Sequence, residues 1–185
     1  MKRRAIFALV VAALCITTAY SQDWKTRLSD DVTLYGHRNW IVVADSAYPL
    51  QVSPGIETMV VDADQLTVVR QVIDDISKAK HVRAIVYTDS ELKFVPEQDA
   101  KGVNAYRDAL AKLLSAQSDH QALPHEQILQ KLDAAGKSFK ILIIKTPLTI
   151  PYTSVFFQLD CGYWSSDAES RLRASMASSA ASSAK

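Results

Sequence analysis

The chain has 185 residues, 48% of them hydrophobic, which suffices for one domain with a real core and calls for no second. Its formal charge of +1 becomes −2 if residues 1–21, which carry Lys2, Arg3 and Arg4 and no acid, are removed, and so balanced a surface excludes nucleic acid as a partner. Of two cysteines only Cys161 lies beyond that segment, which excludes an intrachain disulfide in a processed chain.

In chain order, residues 2–4 are basic, 5–16 apolar and 17–21 small or polar, the pattern of a secretory signal peptide cleaved before Gln22. The expectation is a periplasmic or secreted protein with no membrane attachment after cleavage. An uncleaved anchor is the alternative, although the apolar run is short for a bilayer. Cys15 follows Leu14 rather than a small residue, which argues against lipidation. Residues 24–34 carry Trp24, Leu28 and Val32 at helical spacing, and Gly36 is placed to end that helix. Residues 40–44 are apolar throughout and rich in Ile and Val, a strand covered on both faces. Residues 56–61 read as a second strand. Asp64 N-caps a helix to about residue 78 whose apolar face is Leu66, Val69, Val72, Ile73 and Ile76.

Residues 82–87 read as a third strand, 90–102 as a loop, 103–116 as a helix and 118–124 as a polar connection. A helix over 125–135 is stopped by Gly136, and strands follow at 139–144 and 155–159. Cys161, just past the last strand, reads as a buried and inert thiol. Residues 177–185 are almost wholly Ala and Ser and are expected to be disordered, which leaves 22–176 as the domain. Strands alternating with helices give an α/β fold, a sheet with helices packed on it. No metal-ligand clustering, phosphate loop or dinucleotide fingerprint is present, so neither a metal nor a cofactor is expected.

Two stretches carry chemistry. Residues 35–49, YGHRNWIVVADSAYP, set a Gly-His pair at the entrance of the 40–44 strand and an Asp-x-x-x-Pro turn at its exit. Eight residues of strand would hold His37 and Asp45 about 25 Å apart, so they share a pocket only if the chain bends or a neighbouring subunit supplies one of them. Residues 149–164, TIPYTSVFFQLDCGYW, place Pro151 and Tyr152 at the mouth of the closing strand.

The spacing of these two motifs resembles the RbsD/FucU family of D-ribose pyranases and L-fucose mutarotases, over roughly residues 24–164. That resemblance implies a three-layer α/β/α domain with a central sheet of five or six strands, ring-shaped homo-oligomers with sites between subunits, and a monosaccharide ligand. It also implies opening and reclosing of a sugar hemiacetal by acid-base catalysis without a cofactor. His37 is the expected proton carrier, since an imidazole can both give and accept a proton, and Asp45 the carboxylate that holds a sugar hydroxyl or orients the ring. His125, opening a late helix, with Tyr152 and Ser154, would bind the sugar. The chain departs from the family where Ser154 stands in place of Asn and Leu129 in place of Lys.

Each residue also has a plainer role. His37 could bond the last carbonyls of the helix before it, Asp45 could cap a turn before Pro49, and Tyr152 could sit at a strand edge. His81 and His120 fall in connecting segments and read as solvated. A noncatalytic monosaccharide-binding protein and a structural oligomer without ligand share the scaffold as alternatives.

Overall fold

Continuous runs of β-branched residues need cover on both faces, and the computed structural model, which describes residues 23–183, places them at the centre of a sheet. The elements are α1 (Trp24–Leu34), β1 (Trp40–Ala44), β2 (Ile56–Val60), α2 (Gln65–Lys78), β3 (Val82–Asp89), a 3-10 turn (Ser90–Phe94), α3 (Val103–Leu114), β4 (His120–Leu123), α4 (His125–Gly136), β5 (Ile141–Lys145), β6 (Val155–Cys161) and α5 (Ser166–Ser183). The sheet order is β2-β5-β1-β6-β3-β4. Strand β6 is antiparallel to both neighbours, β1 and β3. The pairs β1–β5, β2–β5 and β3–β4 are parallel.

Alternate residues of β1 feed two cores. Ile41 and Val43 join Leu28 and Val32 of α1, Val69 and Val72 of α2 and Leu110 of α3. Trp40, Val42 and Ala44 join Ile128 and Leu132 of α4 on the other face. Full burial of each such aliphatic side chain contributes roughly 1.5–3 kcal/mol, and the two cores make the expected three-layer α/β/α arrangement. Asp64 caps α2 as expected, accepting the Thr67 N–H at 3.1 Å.

The structure departs from the sequence reading at five points. Helix α1 ends because Tyr35 turns extended, and the left-handed residue of the following turn is Arg38 (φ 73°), not Gly36. Gly136 is the last residue of α4 rather than the first beyond it, and a Cβ there would come within 3.0 Å of the Ile56 side chain. The polar connection before α4 contains the edge strand β4, whose residues 120–122 are exposed. Cys161 ends β6 and is half-buried rather than buried. Residues 177–183 continue α5, consistent with the high helix propensity of alanine. The proposed signal peptide lies outside the described residues.

This topology sorts the chemistry by sheet edge. Because β6 is antiparallel to both β1 and β3, those two strands run the same way and finish beside the start of β6, where Val155 pairs with Val43 and with Thr88. Parallel β4 delivers the start of α4 to that same edge. The opposite edge gathers the entrances of β1 and β3 and the exit of β6. Ligands of open α/β sheets bind outside the carboxyl ends of the strands, which singles out the first edge.

Candidate functional site

At the carboxyl edge lies a pocket of about 370 Å³ lined by Asp45, Tyr48, Asp89, His125, Tyr152 and Ser154, with the 46–49 and 149–151 loops. Four of the five residues singled out from sequence therefore share one cavity. The fifth, His37, does not.

Asp45 closes the turn after β1, its Oδ1 accepting the Ala47 N–H at 2.9 Å. It is thus a turn-capping carboxylate, as its plainer role has it, and a pocket-lining one too. On the facing side, Thr146 donates to its buried neighbours Gln65 Oε1 (2.8 Å) or Ala44 O (3.2 Å). Gln65 Nε2 donates to Thr153 O at 2.6 Å and to the Tyr106 hydroxyl at 3.0 Å, and Tyr106 donates to Thr153 O. With its buried polar groups so paired, this network fixes the loop that presents Tyr152 and Ser154. Tyr152 holds a left-handed backbone (φ 58°), unfavourable by roughly 1 kcal/mol for a residue with a Cβ. Its ring meets His125 edge-on, centroids 5.7 Å apart. Ser154 is buried, and Leu129, the other departure from the family pattern, packs into the α4 core.

His125 is built in twice. Pro124 offers no side-chain cap to α4, and the Glu91 carboxylate takes that place, accepting the His125 backbone N–H at 3.0 and 3.2 Å. A carboxylate suits the positive end of a helix. Burial works against the Glu91 charge, but the hydrogen bonds it accepts hold its carboxyl below the usual range. The ring is held by Asp89 at the end of β3, whose Oδ1 is 3.0 Å from His125 Nδ1. The Asp89 side chain is 1% exposed, and its Oδ2 is buried without a partner. Burial pushes its carboxyl up to about 6 in spite of the histidine. Burial, then the Asp89 carboxylate, likewise pushes the Tyr48 phenol up.

Asp89, Glu91 and Tyr48 went unnoticed in the sequence. The available signal was positional: Asp89 terminates an apolar strand as Asp45 follows one, and both strands end at the ligand edge.

His37 is exposed at the opposite edge, in a wider cleft of about 710 Å³ with Arg38, His81, Arg83, Asp160 and Trp164. The contact to the end of α1 that His37 could have made belongs to His81, whose Nε2 is 3.0 Å from Tyr35 O. His81 is therefore a structural residue rather than a solvated one. His120, on β4, lies with Nε2 2.9 Å from Thr88 Oγ1, and burial lowers its pKa. Cys161 also lines the His37 cleft. Among the described residues no His/Cys/Asp/Glu group is arranged to hold a metal, and no helix is long and apolar enough to cross a membrane.

No family model and no curated protein matches the sequence. Solved structures do match. RbsD of Bacillus subtilis complexed with D-ribose superposes with a TM-score of 0.51 at 17% identity, covering 85% of this chain and 96% of that one. FucU of Bifidobacterium longum (TM-score 0.49, 12% identity, 72% and 92% covered) and the fucose mutarotase of Streptococcus pneumoniae in complex with L-fucose (0.44, 15%, 70% and 87%) are further neighbours. The chain has the RbsD fold, an α/β fold with a mixed six-stranded sheet.

Proposed function

We propose that the carboxyl-edge pocket binds a neutral monosaccharide and interconverts its anomers or ring forms by opening the hemiacetal. The observation that carries this reading is the convergence of a carboxylate-held histidine, a second carboxylate and a tyrosine in a cavity that no lysine or arginine lines among the described residues. The RbsD fold, seen elsewhere with D-ribose bound, supports it.

In the reaction a base removes the anomeric O–H proton as the bond from C1 to the ring oxygen breaks. An acid protonates the ring oxygen, and C1 becomes an aldehyde. Rotation about C1–C2 and reversal of the steps close the ring on the other face, and closure by a different hydroxyl changes ring size. Protons balance, and no redox partner is needed. His125 offers Nε2 for one transfer, since Nδ1 is committed to Asp89. Asp45 Oδ2 is left to accept a sugar hydroxyl, and Tyr152 offers its phenol and ring face.

His37 enters this scheme as the second proton carrier, contributed by a neighbouring copy in a ring-shaped homo-oligomer. The support is its place at the far end of β1 from Asp45, within one chain. Sedimentation should show an oligomer at micromolar concentration, and His37→Ala should abolish exchange without lowering the melting temperature, since the residue is exposed. A stable monomer, or a His37→Ala protein with full exchange, removes His37 from the site. Export is part of the proposal too, with Gln22 at the mature N-terminus. Intact mass of periplasmic or secreted material tests it, and a full-length species would contradict it.

Ser154 favours a second reading, a noncatalytic monosaccharide-binding protein. A hydroxyl is shorter than a carboxamide and cannot span two sugar oxygens as Asn does. Saturation-transfer NMR on a panel of neutral aldoses separates the two. Accelerated exchange for at least one sugar supports catalysis, whereas binding without exchange leaves the second reading.

A further inference from the structure

We propose that Asp89 is the positioning residue of this site: it accepts the Nδ1 hydrogen of His125, fixes the neutral ring as the Nδ1–H tautomer, and so leaves Nε2 to exchange protons with the ligand. The inference rests on the reading of the pocket as a sugar-opening site only for its catalytic consequence. The tautomer itself follows from geometry, because a carboxylate can accept but not donate and Asp89 Oδ1 is 3.0 Å from Nδ1. Free histidine has no such constraint, and which nitrogen carries the proton is set by the hydrogen bond the other ring nitrogen makes.

Fold stability alone does not account for Asp89. A buried carboxylate with one oxygen unpartnered is unfavourable to folding. The charged and titratable groups around it do not offset that. Asp45 and Tyr48 face it from the exit of β1, and Glu91 from the 3-10 turn. Across the neighbouring groove stand Lys93, Arg107 and His120, but the Arg107 guanidinium is engaged with the Leu92 and Val95 carbonyls and His120 with Thr88. His125 of α4 is the one group among these that bonds the Asp89 carboxylate. A buried group whose charge is poorly compensated, aimed at a histidine in a pocket, fits a role in function.

Nitrogen-15 long-range correlation NMR of the wild-type protein reads the tautomer directly, with His125 assigned by comparison with His125→Gln. At pH 7.5 the spectrum of the neutral ring should show Nδ1 protonated and Nε2 bare. In Asp89→Asn, whose amide can donate to Nδ1, the population should move toward Nε2–H. Exchange at saturating sugar should fall about 10- to 100-fold, with KM changed less than threefold. The variant should melt at or above the wild-type temperature at pH 7.5, which a purely structural aspartate would not allow. A wild-type ring in the Nε2–H form overturns the proposal whether or not the variant folds. An unchanged tautomer in Asp89→Asn also overturns it. Absence of exchange by the wild-type protein on every aldose would overturn the catalytic reading while leaving the tautomer result standing.

Discussion

The two ends of β1, a strand of five residues, present opposite kinds of chemistry. At the entrance, His37 is exposed and its surroundings are surface ion pairs: Arg83 bonds Asp160 at 2.6 and 3.0 Å, and Arg173 bonds Glu169 at 2.7 Å. At the exit, Asp89 is buried, its second oxygen lacks a partner, and His125 is clamped through both its backbone and its ring. Charges at the entrance are compensated by partners and by solvent. At the exit they are compensated incompletely, which is the condition for a group that has work to do on a ligand. Direction of the strands decides the contrast, since the exit collects the carboxyl ends of β1, β3 and β4.

The strongest test of that contrast is His125→Ala. If the exit holds the proton carrier, exchange should fall about 10² to 10⁴-fold, while the fold survives because the side chain is 29% exposed. Steady-state exchange and a thermal melt together check this, and a loss of stability with exchange intact would make the histidine structural.

Next in size is the pH dependence of stability. The folded protein raises the Asp89 carboxyl from 3.8 to about 6, so it binds that proton more tightly than the unfolded chain does. The stability this contributes is complete below about pH 4 and is lost as pH rises through about 6. A shift of that size corresponds to at most about 3 kcal/mol. Denaturant titrations of wild type and Asp89→Asn at pH 4 and pH 7.5 should therefore diverge in favour of the variant at the higher pH. Parallel curves would mean that Asp89 is compensated after all.

Asp45→Asn should have a smaller effect, about tenfold on exchange, because the amide keeps an acceptor for the Ala47 N–H but loses the charge. Comparison of kcat and KM by saturation transfer reads it. Smallest is Arg83→Ala at the entrance, where an exposed pair should contribute less than about 1 kcal/mol. A larger change in the unfolding free energy would show that the entrance is more than a solvated surface.

Much of the fold was legible because the central strands are buried on both faces and so spell unbroken apolar runs, WIVVA in β1 and ILII in β5. Strand β4 was illegible for the opposite reason: HQAL is short, lies at the sheet edge and is mostly exposed, so it carries no alternation. Gly136 was legible as the end of α4 to within a residue, but not as a point of close approach, where Ile56 occupies the space a Cβ would need. Within the site, Asp45, Tyr152 and Ser154 were readable from short motifs and His125 from its place at the start of a helix. Asp89 and Glu91 were not, because each meets His125 across more than 30 residues of chain, a pairing that only the parallel β3–β4 connection creates.

The most direct test is chemical-shift mapping of the aldose with the fastest exchange onto the assigned protein. The account requires saturable perturbations at Asp45, Ala47, Asp89, His125 and Ser154, which line or adjoin the exit pocket. Perturbations confined to the entrance cleft, or none at the exit at saturating sugar, would contradict it.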